Sequence, residues 1–214
     1  MIRDRKLEGK GVVQEARHLS GGDRAVPALL FFLSGFTALL YQVIWLKMLT
    51  LTFGNTVYAV ATLLSSFMAG LALGGYWFGR IADRARFPFR LYGYLAGLIG
   101  AVAALTPMLF KGIEPLYIAI YRASNQDPHI FGLSRFLLSL AILIVPTTMM
   151  GGTLPLLARH LTASYGHLGL RIGGLYAINT LGAAVGTFFT GFYLILALGL
   201  KGTVLLGSLI NIWV

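Results

Sequence analysis

The sequence predicts an all-α integral membrane protein of about six transmembrane helices. Of its 214 residues, 57% are hydrophobic and only 11% are charged. The mean hydropathy is +0.78. Soluble domains carry about 25% charged residues, and a water-soluble globule of this length could not hide so much apolar surface. The 27 glycines suit packed membrane helices, whose backbones approach closely.

Residues 1–24 are polar and of mixed charge, with Arg3, Arg5, Lys6, Lys10, Arg17 and Arg24 against Asp4, Glu8, Glu15 and Asp23. No apolar stretch sits near Met1 and no small-residue cleavage site follows, so a cytoplasmic tail is expected rather than a signal peptide. Residues 25–214 form the transmembrane domain. A span needs about 20 apolar residues. The first runs from about 26 to 53, with Gly54 and Asn55 supplying a tight turn. The second covers 57–82 and the third 91–110. Residues 111–128 contain Pro115 and Pro128 and form a loop with a short interfacial helix over Leu116–Tyr121. The fourth span, 130–157, is interrupted by Pro146 and by Gly151 and Gly152. The fifth covers 172–198, and the sixth begins near Lys201. Residues 201–214 would reach only about 21 Å at 1.5 Å per residue, short of a hydrocarbon core of about 30 Å. Either more chain or a partner is expected to complete that span.

Orientation follows from Lys and Arg in the short loops. With the N-terminus inside, the inner segments hold the six tail cations, then Arg80, Arg84, Arg86 and Arg90, then Arg159 and Arg171. The outer segments hold Lys111, Arg122 and Lys201. Twelve cations against three place the N-terminus in the cytoplasm. Lys47 and Arg135 fall within spans near their outer ends, where long side chains snorkel to the headgroups. The formal net charge of +10 is thus a topology signal, and the partner it implies is the lipid bilayer, not nucleic acid.

Between the second and third spans, Asp83 stands among Arg80, Arg84, Arg86 and Arg90. A carboxylate among guanidiniums can accept bidentate hydrogen bonds and latch one helix bundle to another at the cytoplasmic face. The plainer reading is an ordinary basic inner loop. Glycines recur four apart at Gly70 and Gly74, Gly75 and Gly79, Gly93 and Gly97, and Gly182 and Gly186. That spacing shares one helix face and reads as helix packing. The second and fifth spans carry these faces at corresponding places of two three-helix units, which hints at a three-plus-three repeat.

A transport site would show itself as buried polarity. None of the seven acids, Asp4, Glu8, Glu15, Asp23, Asp83, Glu114 and Asp127, lies in a span. Tyr41, Gln42, Trp45, Tyr176 and Asn179 are the most polar positions at membrane depth. Hydrogen bonding between helices and contact with a ligand both account for them. His18, His129, His160 and His167 are too scattered for a metal cluster, and Cys is absent. No catalytic residue, metal site or cofactor is expected.

Several blocks of the sequence resemble the bacterial fused major-facilitator/spermidine-synthase-like membrane proteins. These are Ser34–Leu46, Phe67–Gly74, Pro146–Leu157 and Gly174–Ala183, with Ala197–Thr203 following; together they extend over about residues 27–214. The resemblance implies the fold of one half of a major-facilitator transporter, in the bacterial inner membrane. The Gly79–Arg84 stretch is similar to that superfamily's loop signature, with Arg86 in place of its second glycine. At position 42 the family leads one to expect an acid, and Gln42 removes that candidate cation ligand. In longer members an aminopropyltransferase-like domain follows; these residues carry neither its nucleotide loop nor its acids, so no enzymatic activity is expected. A transporter-type membrane domain and a structural or accessory subunit are the two functions left open. The partners implied are a second six-helix half or other membrane chains.

Overall fold

A computed structural model describes residues 22–54, 56–124, 127–164 and 168–214, with side chains of 22–24, 56 and 161–172 left aside. The polar tail up to residue 21, and with it His18 and His167, lies outside the described residues. Every described element is helical: α1 Gly22–Phe53, α2 Thr56–Arg84, α3 Pro88–Gly112, α4 Glu114–Ala123, α5 Pro128–Gly151, α6 Thr153–Ser164, α7 Leu168–Phe189, a π turn Thr190–Leu194, and α8 Ile195–Trp213. Five stretches are long and apolar enough to cross a membrane: Ala25–Phe53, Val57–Arg84, Pro88–Ala123, Pro128–His160 and Gly173–Trp213.

Local chemistry sets the boundaries. Gly54 takes a left-handed conformation (φ 68°), and its N–H donates to the Thr50 carbonyl at 2.9 Å, closing α1 as a C-terminal glycine does. Proline opens α3 and α5, where its missing donor costs nothing. Asp127 accepts from the backbone N–H of His129 (2.8 Å) and Ile130 (3.4 Å), capping α5. Two boundaries differ from expectation. Pro146 does not interrupt its helix: α5 runs through it to Gly151, as prolines within membrane-type helices often allow. The short helix in the 111–128 loop is longer than expected and continues from α3 through Ile113, which is itself α-helical (φ −83°, ψ −12°). The last apolar stretch is one uninterrupted run by composition but two helices in space. Gly199 (φ 67°, ψ 179°) breaks it, and the Thr203 hydroxyl donates to the Leu194 carbonyl at 3.0 Å. Nine residues of straight helix would separate those positions by about 13.5 Å, so the chain reverses there, as the sequence suggests between residues 198 and 201.

Packing is dominated by three pairs. α1 lies along α7, α2 along α5, and α3 along α8; α1 also meets α8, and α3 meets α5. Taking α1–α3 as one unit and α5, α7 and α8 as another, exchange of the units maps each of these pairs onto a pair in the same set. The core is built by Leu40, Tyr41, Ile44, Trp45 and Leu49 of α1 with Leu63 and Phe67, Tyr92 and Ile99, Leu143, and Val204. The Tyr92 hydroxyl donates to the Leu30 carbonyl at 3.2 Å, tying α3 to α1. The turns at Gly54 and Gly199 and helix α4 share one end of the bundle, here the far end. Arg80 to Arg90 lie at the near end.

Candidate functional site

At the near end, α2 finishes at Arg84 and α3 starts at Pro88 with no side-chain cap on its first turn. The arginines there lie over aromatic rings. The Arg80 guanidinium sits 3.7 Å from the centre of Tyr76, and Arg86 and Arg90 stand 5.5 Å and 5.0 Å from Phe87. Asp83 is exposed and makes no ion pair within 4.0 Å with any described arginine. It therefore does not bridge α2 to α3 inside this chain. An exposed ion pair gains little over hydration, whereas a guanidinium over a ring keeps its water and gains the π face. A cleft of about 340 Å³ lined by Arg80, Ile81, Arg84, Ala85 and Leu91 opens beside this loop.

At mid-depth the structure spends two of the five polar candidates on helix packing. Trp45 is fully buried, and its indole N–H donates to the Thr106 hydroxyl at 3.0 Å. Tyr41 stacks on Trp45 with ring centres 5.6 Å apart. Its hydroxyl accepts from the Asn211 amide at 3.2 Å and lies 3.5 Å from the Ser208 hydroxyl. The Thr37 hydroxyl reaches Asn211 Oδ1 at 2.9 Å, and Ser208 donates to the Val204 carbonyl at 3.0 Å. The result is a relay of donors running from α1 to α8 and back, satisfied within the protein. The other three candidates retain polar capacity. Gln42 is half-buried with no hydrogen bond among the described residues. Asn179 is half-buried and presses against Gly35, and its Oδ1 is buried without a donor. Tyr176 is 63% exposed on the outside of the bundle.

Sequence reasoning missed Thr37, Thr106, Ser208 and Asn211. A signal was present: Thr37, Tyr41 and Trp45 follow one another at four-residue intervals, and Val204, Ser208 and Asn211 at four and three. Asn211 lies in the stretch that looks too short to span.

The packing glycines divide. A Cβ at Gly70 would strike Thr147, one at Gly74 the Thr148 carbonyl, and those at Gly182 and Gly186 the carbonyls of Phe32 and Phe36. These four are the contact points of α2 with α5 and of α7 with α1. Gly75 only grazes Gly151 at 4.0 Å, and Gly79, Gly93 and Gly97 have open space beside them. For those last three no packing neighbour stands within 4 Å among the described residues. Gly35, Gly100, Gly151 and Gly207 make close approaches that four-residue spacing did not reveal, since their counterparts lie on the partner helix.

Arg135 is held by groups of the protein itself. Its Nη1 donates to the Phe53 carbonyl at 3.0 Å, at the C-terminus of α1, and its guanidinium lies 3.8 Å from the centre of Phe131 and 5.0 Å from Tyr117. The negative end of the α1 dipole and two ring faces hold the cation in place. Among the described residues no three His, Asp or Glu side chains come together as metal ligands, and His160 stacks on Phe89 with ring centres 4.8 Å apart.

No protein-family model, curated protein or solved structure matches this chain. Its class therefore rests on its own architecture: an all-helical chain with five stretches fit to cross a membrane, two of whose polar membrane-depth residues are committed to helix packing.

Proposed function

We propose that this chain is a non-catalytic, transport-type membrane domain of the bacterial inner membrane, N-terminus inside, equivalent to one six-helix half of a two-half transporter. The observation that carries the reading is the pairing of α1 with α7, α2 with α5 and α3 with α8, which survives exchange of the two three-helix units. Internal repeats of this kind characterise secondary transporters, whose substrate sites lie where repeats meet. Gln42 and Asn179, at mid-depth with unspent hydrogen-bonding capacity, are the side chains such a site would use. The exposed Asp83 at the near end is then available to an opposing bundle.

One observation favours the second reading, a structural or accessory subunit. Tyr41 and Trp45 are consumed by helix packing, and no acid stands at membrane depth to couple ion movement. Reconstitution separates the two. In liposomes, the transport reading expects uptake of labelled polyamine by a unit whose light-scattering mass contains two six-helix bundles, and none by the monomer. If no assembly takes up polyamine and the chain is recovered from native membranes bound to unrelated membrane proteins, the accessory reading replaces it.

A further inference from the structure

The geometry points to an oxyanion-binding site of phosphate type at the far end of the bundle, in a cleft of about 610 Å³ where Arg135 supplies the charge. The cleft lies between Phe53, the start of α2 at Tyr58 and Thr62, Tyr121 of α4, and the first two turns of α5 with His129 and Arg135.

Arg135 stands two turns into a helix of high apolar content, and a cation at such a position is costly unless compensated. Its compensation within the chain is partial. One amino group is bonded to a backbone carbonyl, the Tyr117 hydroxyl lies against the guanidinium, and ring faces cover part of the plane. Nε is buried with no acceptor, and the remaining amino N–H groups are left for a ligand. No carboxylate pairs with it among the described residues. Asp127 is occupied in capping α5, and Glu114 lines a different cleft with Lys111 and Lys201. Arginine left with a fixed plane and no counter-ion, beside a cleft that also presents an imidazole and two phenol rings, matches a tetrahedral oxyanion better than a neutral solute. Apolar walls from Phe53, Phe131, Leu133 and Phe136 suit the chain of an amphipath below its headgroup. The same chemistry serves a phospholipid phosphate or free phosphate.

The full chain purified in detergent tests this, with phosphatidylglycerol, phosphatidylcholine and inorganic phosphate as probes. Native mass spectrometry compares retention of the two lipids, and radiolabelled inorganic phosphate measures the free anion. Wild type is expected to hold phosphatidylglycerol or inorganic phosphate about tenfold more tightly than Arg135→Gln, the loss typical of one charged hydrogen bond. Because Arg135→Gln also removes the bond to Phe53, a His129→Gln/Tyr121→Phe double variant, which leaves that bond intact, is expected to weaken the same probe severalfold. Preference for phosphatidylglycerol identifies a lipid headgroup as the source; binding of inorganic phosphate alone identifies a soluble anion. Retention of both lipids and binding of inorganic phosphate that are unchanged in Arg135→Gln overturn the site. So does a double variant that binds as wild type does.

Discussion

The Asn211 side-chain amide donates to the Tyr41 hydroxyl at 3.2 Å, while its own oxygen accepts from Thr37 at 2.9 Å. One residue of α8 thus serves as both donor and acceptor to α1. Asn211→Leu keeps the volume and removes both bonds. Thr37 can fall back on the Leu33 carbonyl at 3.0 Å and Tyr41 on Ser208, so the loss is expected to be modest, about 1 kcal/mol, as for other hydrogen bonds between membrane helices. Reversible unfolding in bicelles measures it. A loss above about 3 kcal/mol would show that the relay acts as one cooperative unit.

Glycine substitutions should separate by position. Gly74→Ala and Gly182→Ala drive a methyl into a facing backbone carbonyl and should cost about 1–3 kcal/mol through overpacking. Gly93→Ala and Gly97→Ala meet nothing and should stabilise by a few tenths to about 1 kcal/mol through helix propensity. Equal effects at the two kinds of site would mean that α3 has a packing neighbour in the assembled protein.

The three tryptophans report on embedding. Trp45 is fully buried, whereas Trp77 and Trp213 are 53% and 71% exposed. In brominated-lipid vesicles, single-tryptophan variants retaining Trp213 should be quenched strongly and those retaining Trp45 hardly at all. Protection of Trp77 that disappears on dilution would place an associating chain against α2.

Topology is open to thiol labelling because the chain has no cysteine. A cysteine at Ser124 should react with an impermeant reagent in intact cells, and one at Ala85 only after permeabilisation. The reverse pattern would turn the bundle over.

Asp83→Asn should leave the stability of the isolated chain within about 0.5 kcal/mol, as for an exposed residue outside any network, because Asp83 makes no ion pair among the described residues. If Asp83 meets an opposing bundle, the same variant should lower the assembled fraction seen by light scattering. Loss of stability in the monomer, without change in assembly, would return Asp83 to a role inside the chain.

The helices were legible because apolar length is a one-dimensional property. Gly54 marks the end of α1 by its own backbone chemistry, whereas α3 and α5 start at Pro88 and Pro128, two to three residues before the apolar runs from which the spans were read. Pro146 does not mark a helix end, because a proline removes only the one donor that would have met the Ile142 carbonyl and membrane helices tolerate that loss. Tyr41 and Trp45 could be picked out by polarity, but not their use, since the groups that satisfy them are some 60 and 170 residues away in sequence (Thr106 and Asn211). Arg135 shows the same limit. Its position near a span end is legible in the sequence, whereas its contacts with the Phe53 carbonyl and the Phe131 ring are not.

The pairing of helices also dictates an order of assembly during synthesis. α1 enters the bilayer with the backbone at Phe32 and Phe36 bare, and the glycines that will cover it, Gly182 and Gly186, emerge about 150 residues later, roughly 10–30 s at ribosomal rates. α2 meets α5 first, then α1 receives α7, and α3 waits for α8. Until then the early helices are held side by side by their short turns and by the few bonds among themselves, Tyr92 to Leu30 and Trp45 to Thr106. A ribosome stalled after α6 would leave α1 in the membrane without its main partner, a ready target for quality-control proteases or for a chaperone that holds a small-residue helix face.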